Sequence, residues 1–184
     1  MSRTRKFVGI GLVVAAVGIT TGVSLVAKGP RNGRADLSGF QENPTLSTPA
    51  SGSLELTIAP DDGSISFVLS YEGFTANVTQ SHIHLGRPAI NGGVMVYFCT
   101  NLTIPTGVPT PKACPARGGT VTGTLTAADV FTGASGQGVS PGEFEEFLNA
   151  LREEAAYGNV HTTAFPGGEI RGQVLFHAIG AAIR

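Results

Sequence analysis

Tryptophan is absent from the chain, cysteine and methionine occur twice each, and charged side chains make up only 14% of its 184 residues. Each shortage excludes something. A nucleic-acid binder needs an excess of basic side chains, because phosphate contacts dominate its affinity, yet the formal net charge here is −1. Three of the twelve basic residues, Arg3, Arg5 and Lys6, precede an apolar run, and the remainder carries nine basic against thirteen acidic residues, or −4. Nucleic acid is not expected as a partner. The sequence also contains no G-x-S-x-G elbow, no H-E-x-x-H pair and no Walker A loop, so no conventional hydrolase or phosphate-cradling machinery is evident. No Gly-X-Y period runs through the 26 glycines, which excludes collagen-like order.

Glycine and proline, 26 and 11 residues, are plentiful, a composition that favours many turns between short strands over long helices. The length suits one hydrophobic core, since domains of ~100–150 residues are the commonest size. Residues 7–27 (FVGIGLVVAAVGITTGVSLVA) carry no charge and follow a basic start, the pattern of a secretory signal or a single membrane anchor. Both alternatives imply export: secreted, periplasmic, or anchored on the outer face of the membrane. Any membrane contact is expected only through this segment, if it is uncleaved. The chain accordingly divides into an export segment at 1–27, a polar linker at 28–34 (KGPRNGR), one domain at 35–177 and a C-terminal tail at 178–184.

Cys99 and Cys114 bracket a polar, proline-rich stretch, TNLTIPTGVPTPKA. A disulfide would staple that loop in an oxidising compartment, worth about 3 kcal/mol by chain entropy. Two free thiols are the alternative, and the spacing is far from the C-x-x-C of a metal pair.

Period-two patterning predicts strands at 35–41, 52–59, 64–71, 78–85, 93–98, 119–125, 158–164 and 169–176. Pro60-Asp61-Asp62-Gly63 suits a hairpin turn between the second and third. Phe144, Phe147, Leu148 and Leu151 recur at helical spacing and predict one inserted α-helix over 140–157, with Ser140 as N-cap, Glu143 completing a capping box and Gly158 just past its end. The predicted class is all-β: a two-layer antiparallel, Greek-key-like β-sandwich of about eight strands with that helix, after an N-terminal hydrophobic helix.

The chemically interesting stretch is SHIHLG, because in a strand His82 and His84 project from one face. Side-by-side imidazoles can present two nitrogen ligands to copper or zinc, and His161 in GNVHTTAF could add a third from another strand; structural histidines are the competing reading. His177, near the C-terminus, is read as solvated. Glu169, Arg171 and Gln173 share one strand face, where they could orient a histidine or pair with each other.

Taken together, Phe40-x-Glu42-x-Pro44, SHIHLGRPAINGGVMVYFC, GGTVTGTLTAADV and GNVHTTAFPGGEIRGQV resemble the CHRD family, the domain named after chordin, across about residues 35–177. The resemblance implies a secreted or surface β-sandwich acting as a binding or structural module, with a protein or cell-surface component as partner. Chordin's cysteine-rich modules are missing, so growth-factor binding does not carry over. A weaker, architectural resemblance links the His-x-His strand and distant histidine to the copper site of Cu/Zn superoxide dismutase. No bridging histidine or zinc-ligand loop is recognisable, so this implies copper at His82, His84 and His161 rather than dismutase activity.

Overall fold

A computed structural model describes residues 29–104 and 106–176. The 7–27 segment, the 178–184 tail and His177 lie outside the described residues. Nine strands form one antiparallel ladder: β1 Asn32–Ser38, β2 Ser51–Ile58, β3 Ile65–Glu72, β4 Val78–Leu85, β5 Val94–Thr100, β6 Gly119–Leu125, β7 Ala156–Thr162, β8 Ile170–Gln173 and β9 Leu175–Phe176. Their spatial order is β5-β4-β7-β8-β1-β2-β3-β6, with β9 on β1. Only Ser38 and Arg171 pair where β8 meets β1, so the ladder folds there into two layers, β5-β4-β7-β8 and β1-β2-β3-β6. Consecutive strands such as β3 and β4 lie in opposite layers, which is the Greek-key-like crossing expected. The all-β sandwich reading holds.

Alternation explains the first layer. In β3 the buried residues Ile65, Phe67, Leu69 and Tyr71 alternate with exposed or half-exposed ones, and β2 answers in register with Ile58, Leu56 and Leu54. Opposite residues share a face, so the two strands bury a common apolar stripe. Their connection is the expected turn, with Asp62 taking the left-handed conformation at φ 61 and the Asp61 carboxylate accepting the Gly63 N–H at 2.9 Å.

Several boundaries differ from the sequence reading. β1 begins at Asn32, within the stretch read as linker, and ends at Ser38, where a 3₁₀ turn over Gly39–Gln41 takes over. The last predicted strand divides into β8 and β9. The helix, α1, is shorter than expected, Phe144–Arg152. Ser140 makes no side-chain cap; only half of the capping box forms, the Glu143 carboxylate accepting the Ser140 N–H at 2.6 Å. Past the end of α1 the chain turns at Glu154, left-handed at φ 52, with Glu154 N–H bonded to Leu151 O and Ala155 N–H to Ala150 O at 3.1 and 2.9 Å. That is a Schellman ending. Gly158 lies inside β7, because pairing with both β4 and β8 outweighs helix continuation there. Phe144, Phe147, Leu148 and Leu151 are all buried, as their spacing requires.

The two end strands of the ladder are joined by the cysteine loop. Cys99 and Cys114 form a disulfide, and Lys112 spans the seam: its carbonyl accepts from Thr100 N–H of β5 at 2.9 Å, while its Nζ donates to Thr122 O of β6 at 2.7 Å. A disulfide is compatible with an oxidising compartment. Replacing Cys114 by serine is expected to lower unfolding free energy by about 3 kcal/mol, read as a drop in the urea midpoint. An unchanged midpoint would mean that the backbone bonds alone hold the seam.

Candidate metal centre

β7 is buried along its whole length although Tyr157, Asn159 and His161 alternate on one face of it. A central strand with one polar buried face needs partners for that face. Register supplies them. Gln80, His82 and His84 of β4 lie opposite His161, Asn159 and Tyr157 of β7, and Arg171 of β8 lies opposite Asn159. This polar face turns away from the apolar core, where Ser81, Ile83, Val160 and Ile170 point, and it is covered by loops. Glu42 reaches it by accepting a 2.7 Å bond from Asn159 Nδ2, Phe131 packs on Tyr97 with ring centroids 5.3 Å apart, and Gln137 clamps Leu85 O and Gly93 N–H at 3.0 and 2.6 Å.

Two irregularities in the β4–β5 pairing fall between Ser81 and His82 and between Ile83 and His84. Bulges re-aim side chains and are common beside functional sites. Here one precedes His82 and the other lies just before His84.

His82, His84 and His161 come together. One nitrogen from each lies within 4.8 Å of the others. His84 Nδ1 meets Gly92 O at 2.8 Å and His161 Nδ1 meets Pro166 O at 2.9 Å. A carbonyl can only accept, so both Nδ1 atoms carry protons and both Nε2 atoms keep lone pairs. His84 Nε2 receives the Nδ1–H of His82 at 2.9 Å. His161 Nε2 is buried with no hydrogen-bond partner, a costly arrangement for a nitrogen acceptor.

Burial favours the neutral form of all three rings. It holds His82 well below the ordinary imidazole range, helped by the neighbouring His161 and His84. His84 falls to about 4, burial outweighing the Gly92 carbonyl that favours its charged form. His161 is lowered by burial against the opposing pull of Pro166 O. Each neutral imidazole keeps one lone pair for a transition metal, with no imidazolium proton to displace, and the His82–His84 bond opens when His84 Nε2 takes the ion.

A family model, that of the CHRD domain, matches residues 33–174. The chain belongs to the CHRD family. No curated protein and no solved structure matches it significantly. Within this CHRD domain Glu169 and Arg171 do not pair with each other, nor does either bond to a histidine. The Glu169 carboxylate instead accepts from Thr48 and Thr162 hydroxyls at 2.7 and 2.6 Å, tying the 39–48 segment to β7. Arg171 donates to Asn91 Oδ1 at 3.0 Å and Ile90 O at 3.1 Å, and its guanidinium covers the Tyr157 ring, 3.9 Å from the centroid. The other face of Tyr157 stacks on His84, centroids 4.7 Å apart and planes 7° from parallel. Arg171 therefore reaches the histidines through an aromatic ring. The sequence puts Asn159 and His161 on one face of the strand predicted at 158–164 but assigns Tyr157 to the end of the predicted helix, whereas β7 begins at Ala156 and includes it; that this face meets β4, and that Glu42 and Gly92 arrive from loops, is not readable from the sequence.

Proposed function

We propose that this protein is an extracytoplasmic CHRD domain that binds one transition-metal ion, copper or zinc, through His82, His84 and His161. The observation that carries this reading is the convergence of three neutral imidazoles on a point where His161 Nε2 is buried and unbonded. Nitrogens bound at ~2.0–2.1 Å in a trigonal or tetrahedral shell stand about 3.3–3.6 Å apart, and here one nitrogen of each ring lies within 4.8 Å of the other two. The Nδ1 bonds of His84 and His161 to carbonyls fix tautomer and ring orientation, as the outer partners of metal-bound histidines do. The disulfide and the family support a location outside the cytoplasm, and the apolar 7–27 segment supplies a route of export.

Elemental analysis of exported, chelator-washed and reloaded protein tests the reading. One equivalent of copper or zinc is expected, with at least a hundredfold weaker binding after His161→Ala. Metal retained at full stoichiometry by His161→Ala would reject this site.

A second reading, a module that docks a protein or cell-surface component, is supported by Phe40 and Ile90, 70% and 56% exposed. They lie on two loops joined by the Asn43 amide bonding to Ala89 O at 3.0 Å. The two readings are compatible, since these loops cover the histidine face.

A further inference from the structure

The three-histidine set is electrically neutral and lies where charge is costly, with His82 and His161 only 2% and 6% exposed. Its rings bond to one another and to the carbonyls of Gly92 and Pro166. No carboxylate bonds to any of them. The two buried acids of this layer are committed elsewhere: Glu169 is held between Thr48 and Thr162, and Glu42 accepts from Asn159 while burial pushes its carboxyl toward the protonated form. The charged group that stands on the ring stacked against His84 is a cation. Arg171, 3% exposed and pinned by Asn91 and Ile90 O, sits over Tyr157, whose opposite face lies on His84.

This arrangement discriminates by valence. The cost of moving an ion out of water rises with the square of its charge, so a dication bears about four times the penalty of a monocation when no anionic ligand offsets it. Repulsion from a fixed guanidinium is likewise doubled for a dication. Coordination points the same way. Three imidazoles complete a trigonal shell for a cuprous ion, whereas zinc in a protein takes four ligands and would have to keep a water in a buried place.

Building on the metal-binding reading above, we propose that the site selects monovalent copper over zinc and cupric ions, and that Arg171, acting through Tyr157 on His84, is the residue that sets this preference. The domain then serves as a holder of cuprous copper outside the cytoplasm. Arg171 is a positioning and charge-setting residue and does not itself touch the ion.

Competition titrations on the disulfide-intact exported chain test this. Cu(I) is titrated anaerobically against a coloured cuprous chelator with ascorbate present, Ag(I) serves as a redox-inert monovalent probe, and Zn(II) is titrated against a zinc chelator. The expected result is one equivalent of Cu(I), displaced by Ag(I), with Zn(II) held at least a hundredfold more weakly. Arg171→Met, which keeps the length and loses the charge, is expected to narrow the Cu(I)-to-Zn(II) gap about tenfold by raising Zn(II) affinity more than Cu(I) affinity. Arg171→Lys, retaining the charge, should hold most of the gap and guards against a folding defect in the methionine variant. Zinc bound as tightly as Cu(I), or a gap unmoved in a folded Arg171→Met protein, would overturn the valence preference while leaving the metal site standing. Absence of any binding by either ion would overturn the metal site itself.

Discussion

Gly92→Ala is expected to destabilise the domain by more than about 4 kcal/mol and to weaken metal binding at the same time. A Cβ at position 92 would stand 1.6 Å from Leu85 O and 2.6 Å from Leu85 C, both backbone atoms at the end of β4. No rotamer change relieves a clash with backbone, so strand and loop must separate. The same residue holds the site: Gly92 O accepts the His84 Nδ1–H at 2.8 Å, and Gly92 N–H reaches Tyr157 Oη at 3.3 Å. Moving the loop therefore releases His84 and uncouples Tyr157. Urea unfolding and metal stoichiometry check both parts. Gly136→Ala is the control, because a Cβ there meets nothing within 4 Å and its backbone is not left-handed, so a change within about 0.5 kcal/mol is expected. A Gly92→Ala protein with an ordinary urea midpoint would mean that the 87–92 loop does not pack on β4 as described.

Acidification should destabilise the metal-free protein between about pH 6.5 and pH 4. The folded-state values of His82, His84 and His161 are all lowered by burial, His84 to about 4. Below pH 6.5 the unfolded chain takes up protons that the folded chain refuses. Stability is thus fully present above the unfolded value and is lost as pH falls, at about 1.4 kcal/mol per pH unit for each histidine still neutral in the fold. Three such groups give a loss of a few kcal/mol by pH 5. A bound ion competes with the same protons, so loaded protein should resist acid further and then release its metal. Urea midpoints at pH 7, 6 and 5, with and without metal, measure this. Equal midpoints at pH 7 and 5 in the metal-free protein would show that the rings titrate as solvated histidines.

The outcome at particular elements shows why some features were legible. The β2–β3 hairpin was readable because apolar alternation, the turn residues and the register are all local: Ile58 faces Ile65 across a connection whose chemistry is written in Pro60-Asp61-Asp62-Gly63. α1 was readable in its buried face but not in its ends. Its spacing of Phe144, Phe147, Leu148 and Leu151 is intrinsic to a helix, while its stop before Glu154 follows from the demand of β4 and β8 for a strand starting at Ala156. Arg171 stands in β8 and Glu169 just before it, and apart from Thr162 their side-chain hydrogen-bond partners come from segments about 80 to 120 positions away. Nothing local names such partners.

By itself the sequence determined an all-β domain of the CHRD family, a single pair of cysteines able to bridge a loop, and two histidines on one side of β4, because strand period, cysteine count and motif order are properties of the chain alone. Tertiary structure decided that β7 lies against β4 in the register that sets His161 beside the pair, and that the face they share is roofed by loops. It also decided that Arg171 approaches through Tyr157 rather than through Glu169. The reason is physical. Antiparallel register between strands distant in sequence is fixed by packing on both faces at once, and burial, which keeps the imidazoles neutral, exists only after the layers close.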